Sequence, residues 1–323
     1  MASPNTTAYL RPDLGMSFEE YDLVAELEGF VAAEVLPIFD AAVQNANFGK
    51  LAIEQLLKDV DTLRAPGGNY MRDHQRFEQD SFTTVEHGAE EPVDDRESSI
   101  YAHILDAELV AAQRARAKVL RALEQEVSAA VFNAATFTGA LTTAVTNEWD
   151  DAPNATPIAD VAGAMDAARL TGGILPNALV INWSVFNNLR QVAEIVERIK
   201  YWGGQDPNTA DITAQALAQA LGIDRVIVAG GLRNTANEAQ PAALGNIWSN
   251  EFAMVCRVPK SNDLREPCMG RLFHYTGDGS TPGATVEQYR DESRRSDIIR
   301  SRMDYHAKII YPQAAHLLSN ITT

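Results

Sequence analysis

Residues 95–138 read DRESSIYAHILDAELVAAQRARAKVLRALEQEVSAAVFNAATFT and lie in the longest run of the chain without glycine or proline. Ile100, Ile104, Leu105 and Leu109, then Val119, Leu120, Leu123, Val127 and Val131, recur at helical spacing. The positions between them are mostly Ala, Glu, Gln and Arg, which are good helix formers. Asp94, Asp95 and Glu97 stand where carboxylates suit the positive end of a helix dipole. Arg114, Arg116, Lys118 and Arg121 cluster past the midpoint. One helix over 95–138 would be about 66 Å long, against a usual three to four turns. A helix of that length is a strut, and something long must lie across it.

The 323 residues suffice for a large core and two or three domains. Apolar runs are only a handful of residues long, too short for a transmembrane helix. The start, MASPNTTAYLRP, lacks the basic and apolar regions of a secretory signal, which favours the cytoplasm. Cys256 and Cys268 are too few for a disulfide framework or a zinc site and read as buried, inert thiols. The net charge of −17 argues against a protein that reads nucleic-acid sequence with a basic face. It is compatible with enclosing nucleic acid without gripping it, and equally with plain solubility.

Residues 1–17 read as a polar arm, and Phe18–Val35 as a weak helix interrupted by Gly29. The pattern then breaks down from 36 to 94, with a loop tip at Pro66-Gly67-Gly68 flanked by Arg64 and Tyr70. Structureless loops inside a domain rarely exceed about 15 residues. Two readings fit: a disordered insertion, or a long β-hairpin that packs on another subunit. Ile53, Leu56, Leu57, Tyr70 and Phe77 favour the hairpin, being poor choices for disorder. The acidic run 86–97, with Glu86, Glu90 and Glu91, does not have the spacing of an EF-hand and reads as a solvated approach to the helix or as an ion-pair partner for a neighbour's arginines.

Beyond the helix, 139–149 reads as a strand, and Pro153, Asn154 and Pro157 mark a boundary. Helix and strand then alternate: 158–170 helical, 178–181 a buried strand, 183–199 helical, 201–208 a loop holding Tyr201 and Trp202, 212–221 helical and 225–229 a strand. That alternation implies a small α/β domain. The tail is strand-like over 247–258, 271–275, 284–291 and 296–311. Its last part interleaves Arg290, Arg294, Arg295, Arg300 and Arg302 with Asp291, Glu292, Asp297 and Asp304, which suits strands with one solvated or interfacial face.

Nothing in the sequence points to catalysis, a metal or a cofactor. The Walker A loop, the GxSxG elbow and the HExxH pair are all missing. VIVAGGLRN (226–234) lacks the GxGxxG pattern of a dinucleotide loop and opens no clear helix, so a nucleotide-using α/β enzyme is a weak alternative.

The order of elements resembles the major capsid protein of tailed bacteriophages, a fold shared with encapsulin shells and the floor of herpesvirus capsids. The resemblance rests on RAPGGNY (64–70), FEQDSFTTVEHGAEEPVDDRE (77–97), NALVINWSVFNNLR (177–190), LGIDRVIVAGGLRNTA (221–236), NIWSNEFAMVCRVP (246–259) and the stretch 286–318, and covers nearly the whole chain from about residue 20. It implies an α+β tailed-phage major capsid fold: an N-terminal arm (1–35), an extended β-hairpin loop (36–94), a peripheral domain begun by a spine helix (95–157, helix 95–138) and closed by a β-sheet (269–323), and an α/β axial domain (158–268). It further implies a homo-oligomer of pentamers and hexamers forming an icosahedral head around double-stranded DNA, found in the virion capsid and assembled in the bacterial cytoplasm. A separate scaffolding protein, a portal and a decoration protein are the partners it suggests, with no membrane. An encapsulin-like compartment is the main alternative. Arg64, Tyr70, Glu86, Glu90, Glu91, Arg114, Arg116, Tyr201, Trp202 and the five tail arginines are then expected at assembly interfaces, with 201–211 facing the capsomer axis. Lys50, Lys58 and Asn320 are the residues that a Lys–Asn crosslink, present in some members, would use; no motif here demands it.

Overall fold

The computed structural model of the chain describes residues 9–10, 29–52, 57–59, 62–72, 77–96, 107–203, 212–237 and 239–322. In chain order the elements are β1 (Tyr9–Leu10), a single turn α1 (Ala32–Val35), β2 (Ile38–Ala41), a hairpin of β3 (Asn45–Leu51) and β4 (Phe77–Thr83), β5 (Val85–Asp94), and the long α2 (Ala107–Val131). Then follow β6 (Thr142–Ala144), α3 (Pro157–Gly172), β7 (Ala178–Asn182), α4 (Trp183–Leu189), α5 (Ala193–Gly203), α6 (Ala214–Leu221), β8 (Arg225–Ala229) and a small hairpin of β9 (Leu232–Asn234) and β10 (Leu244–Asn246). The chain closes with β11 (Phe252–Cys256), β12 (Gly270–Tyr275), β13 (Thr285–Asp291), β14 (Ser296–Ile309) and β15 (Ala315–Ser319).

The spine helix is shorter than its sequence pattern suggests. Residues 95–96 are helical, 97–106 lie outside the described residues, and α2 ends at Val131 rather than 138. At 25 residues it is about 37 Å long. Asn133 ends it: its side-chain oxygen accepts from the Ala135 and Thr136 amides at 2.9 and 3.3 Å, an alternative to continued helical bonding.

Two sheets flank this helix. In the five-stranded sheet, ordered β6-β15-β11-β7-β8, alternate residues feed two cores. Ala178 and Val180 face the core built on Val119, Leu123, Val127 and Val131 of α2, while Leu179 and Ile181 face a second core with α3, α4, α5 and α6. With both faces covered, the strands read as unbroken apolar runs. Asn182 caps α4 by accepting from the Ser184 amide at 2.7 Å, and Gly222 ends α6 in the left-handed conformation.

The six-stranded sheet is built on β14, whose 14 residues pair with β13 over 296–302, with β12 over 305–309 and with β5 over 296–305; β1 and β2 complete it. Leu272, Met303 and Tyr305 pack into the same core as α2, so the helix is the wall shared by both sheets. Each fully buried apolar side chain there contributes about 1.5–3 kcal/mol.

Strand pairing divides the segment 36–94 more finely than its sequence does. β2 and β5 are members of the six-stranded sheet, which leaves the hairpin β3–β4 as the part that extends. The reason is register. Pro92, Glu90, Gly88 and Glu86 lie opposite Ile298, Arg300, Arg302 and Asp304, so β5 is placed by its ten-residue backbone ladder to β14, with buried Val93 and the pairs Glu90–Arg300 and Glu86–Arg302 beside it, rather than by an apolar alternation. Likewise β15 returns to the five-stranded sheet, pairing with β11 and β6, although it follows the strands of the other sheet in sequence. Tyr201 and Trp202 lie in the last turn of α5 rather than in a loop; 204–211, and with them most of the expected axis-facing segment, are outside the described residues.

Candidate assembly surfaces

The outward face of the β5–β14–β13 surface is ionic. The turn at 292–295 folds β13 onto β14 so that Glu287 stands directly across from Arg300, with Glu90 across from Arg300 on the other side. Glu287 is 7% exposed and binds two arginines: Arg300 Nε donates to its Oε2 at 3.1 Å and Arg302 Nε to its Oε1 at 2.9 Å. Arg302 also pairs with Asp278 and, at 3.9 Å, with Glu86. Tyr289 donates to Glu90 at 3.2 Å. Arg290 bridges Asp95 at 2.5 and 2.7 Å and reaches Asp297 at 3.4 Å. Burial pulls the Glu287 carboxyl upward, but its bonds to Arg302 and Arg300 outweigh that and hold it below the usual glutamate range.

Several expected interface residues are therefore engaged within their own chain: Glu86, Glu90, Arg290, Arg300 and Arg302 form this network, and Glu91 pairs with Lys118 of α2. Arg294 lies 3.9 Å from Asp291 in the turn, and Arg295 beside it is exposed with φ 51°. On the spine helix, Arg116 Nε donates to the Gly283 carbonyl at 2.7 Å, Arg121 lies over the Phe30 ring, and Arg114 is exposed. The arginine cluster thus splits, with Arg116 and Lys118 holding the helix to its sheet and Arg114 facing outward.

The hairpin has a fixed root, and the apolar residues described at its tip are exposed. At the root Phe82 stacks on Phe273 at 4.2 Å, Phe39 meets Phe273 edge-on at 5.7 Å, and Lys308 binds Asp80 at 2.9 Å. Lys50 stands 4.8 Å over the Tyr311 ring. At the tip Arg64 donates to the Gly68 carbonyl at 2.7 Å and lies 4.7 Å from the Tyr70 ring centre. Leu57, Tyr70 and Met71 there are 65%, 71% and 71% exposed. Tyr201, at the end of α5, is 87% exposed; the side chain of Trp202 lies outside the described residues.

One arrangement imitates a hydrolase. Asp40, His274 and Ser280 stand in a row, with His274 Nδ1 3.2 Å from Asp40 and Nε2 3.2 Å from the Ser280 hydroxyl. His274 and Ser280 are buried, and the hydroxyl donates to the Tyr275 carbonyl at 2.9 Å. The row ties β2 to β12 and presents no nucleophile to solvent. Cys256 and Cys268 are both free and buried, and burial pushes the Cys256 thiol up to about 12.

A family model described as phage capsid protein matches residues 79–317. The chain belongs to that family. As a capsid protein it is a structural subunit of a shell, and its place is the virion. No curated protein matches it. Among solved structures, a phage-related protein from Bordetella bronchiseptica shares 19% identity over 98% of both chains with a TM-score of 0.68. A capsid protein of an Escherichia coli prophage shares 11% over 97% of this chain and 99% of the other, with a TM-score of 0.57. A virus-like particle from Pyrococcus furiosus shares 13% over 92% and 95%, with a TM-score of 0.55. These likenesses concern the fold.

The capsid subunit holds charged residues that the sequence reading passed over. Glu287 is the main one, and a hairpin folded about Ser293–Arg294 would have placed it opposite Arg300. Glu126 on α2 is another: it accepts from the Ala307 amide at 3.0 Å, supplying a partner to β14 just past the end of β5. A glutamate inside a helical stripe carries no signal for that role.

Proposed function

We propose that copies of this chain close through pentamers and hexamers into an icosahedral phage head around double-stranded DNA, assembled in the bacterial cytoplasm. The single observation that carries the reading is the hairpin β3–β4: its root is clamped by aromatic and ionic contacts, while Leu57, Tyr70 and Met71 at its tip are exposed. Exposed apolar groups on an arm held at one end suit a seat on a second copy. Arg64 and Tyr70 then meet that neighbour, Arg114, Arg294 and Arg295 serve further contacts, and the end of α5 with Tyr201 and Trp202 turns toward the capsomer axis. The division into arm, extended loop, peripheral domain and axial domain belongs to the same reading. The charge of −17 lets packaged DNA move without adhering. A separate scaffolding protein, a portal and a decoration protein are the partners this scheme calls for.

Negative-stain microscopy of the expressed protein, alone and with a co-expressed scaffold, tests it. Closed shells of uniform size are expected. Discrete small oligomers under every condition would count against the proposal, and shells filled with a protein cargo rather than nucleic acid would favour a compartment of the encapsulin kind.

A further inference from the structure

Glu124 of α2 is 1% exposed. Its carboxylate gathers donors from two distant segments: the Val31 amide at 2.9 Å and the Trp248 indole Nε1 at 2.6 Å both reach Oε1, and the Ala32 amide reaches Oε2 at 2.8 Å. One turn on, Ser128 donates to the Ile247 carbonyl at 3.1 Å. The segment at 29–32 is held again by Gly29, whose carbonyl accepts from the Gly230 amide at 3.0 Å. Gly29 has φ +68°, and a β-carbon on it would lie 2.6 Å from the Gly230 Cα. Three parts of the molecule therefore converge on one side chain: segment 29–32, the spine helix and the turn between β10 and β11 that carries Trp248.

We propose that Glu124 is a proton-operated latch that couples segment 29–32 to the spine helix and to Trp248. Charged groups on the packed elements have their own engagements. Arg121 covers the Phe30 ring, Glu126 binds the Ala307 amide and lies near His87 and His306, and Glu34 of α1 pairs with Arg225 at 3.7 Å. Glu251, beyond Trp248, is exposed. What acts on the Glu124 proton is chiefly burial, which raises its affinity, opposed by the three N–H donors; the net direction is upward from the usual glutamate range. The buried, latched state thus binds the proton more tightly than a released, hydrated Glu124 would. The latch is tightest in acid and loosens as the pH rises through the raised value. The inference concerns contacts within one chain and does not depend on how copies assemble.

Hydrogen exchange of the amides at 31–36, corrected for intrinsic rates and compared at about pH 5 and about pH 8, tests the latch. In the unaltered protein protection is expected to fall several-fold at the higher pH, while β7 and β11 amides keep theirs. Glu124→Gln, which never ionises, should show the same protection at both. Flat protection in the unaltered protein, the same pH dependence in Glu124→Gln, or a loss spread equally over β7 and β11 would each overturn the proposal. Should Glu124→Gln fail to fold, Trp248→Phe serves instead. It removes one donor, so the fall must move to higher pH, and an unmoved or lowered midpoint would refute the latch.

Discussion

The two sheets share one helix yet are held by different physics. Every residue of β7 is buried and, apart from the terminal Asn182, apolar. On β14, Arg300 and Arg302 alternate with buried Ser301 and Met303, and the outward face is a lattice of arginines and carboxylates. Their titration diverges accordingly. Around the five-stranded sheet, burial raises the carboxyls of Glu124 and Asp160. In the ionic network, polar contacts outweigh burial: Arg302 and Arg300 lower the Glu287 carboxyl, and hydrogen bonds from Ser280, then Arg302, lower that of Asp278. The first sheet needs only to exclude water. The second keeps a polar face in register, and register is what charge pairing specifies well.

The contrast predicts unequal costs. Ile181→Ala, in β7, should cost about 2–5 kcal/mol, because a fully buried side chain leaves a cavity between the sheet and its helices. Urea unfolding should show that loss unchanged between low and high salt. Glu287→Gln should cost less, about 1–3 kcal/mol, by leaving Arg300 and Arg302 without their shared anion. Its loss should shrink as salt rises. It should also change the acid limb. The folded carboxyl lies below its ordinary range, so its contribution is present above that range and is lost as the pH falls through the folded value. The variant should therefore show a shallower loss of stability in acid than the unaltered protein. An identical slope would mean that the network does not couple to folding.

The same contrast explains what the sequence disclosed. The buried strands at 178–181 and 225–229, the helix ended by Gly222 and the tail strands all appear where apolar runs and turn residues place them. Local signals sufficed because each element satisfies itself. β5 was harder: its residues are charged or small, and its place depends on a partner about 200 positions away. β15 was obscured differently, since an apolar strand at 315–319 fits either sheet and only the packing chooses. The arginines were visible as an unusual concentration, but their division between internal and outward roles was not. Arg116 is set apart from Arg114 by a bond to Gly283, a residue far along the chain.

Arg290 sharpens the comparison further. Its contacts with Asp95, Asp297 and Glu292 lie at the exposed end of the network, where such pairs contribute little. Arg290→Ala should leave the unfolding midpoint almost unmoved, in contrast to Glu287→Gln a few residues away. A loss as large as that of Glu287→Gln would show that the network acts as one unit rather than by depth.

The smallest effect on folding is expected at Arg114. It sits on the same helix as Arg116 and Lys118, but those two bind the Gly283 carbonyl and Glu91 of their own chain. Reversing charge at Arg116 would therefore damage the subunit itself, and a failure to assemble would say nothing about contacts between subunits. Arg114→Glu avoids that ambiguity, because the side chain is exposed and the neighbouring anchors stay intact. Its unfolding midpoint should match that of the unaltered protein, as surface substitutions away from packed features usually do. If Arg114 meets a carboxylate of a second copy, the reversal places like charges together at every such contact, and a repulsion repeated around a closed assembly is multiplied by the number of contacts. Light scattering and microscopy should then find folded subunits that do not close into shells. Normal shells from a normally stable Arg114→Glu protein would assign this residue to the solvated surface and leave the hairpin tip to join the copies.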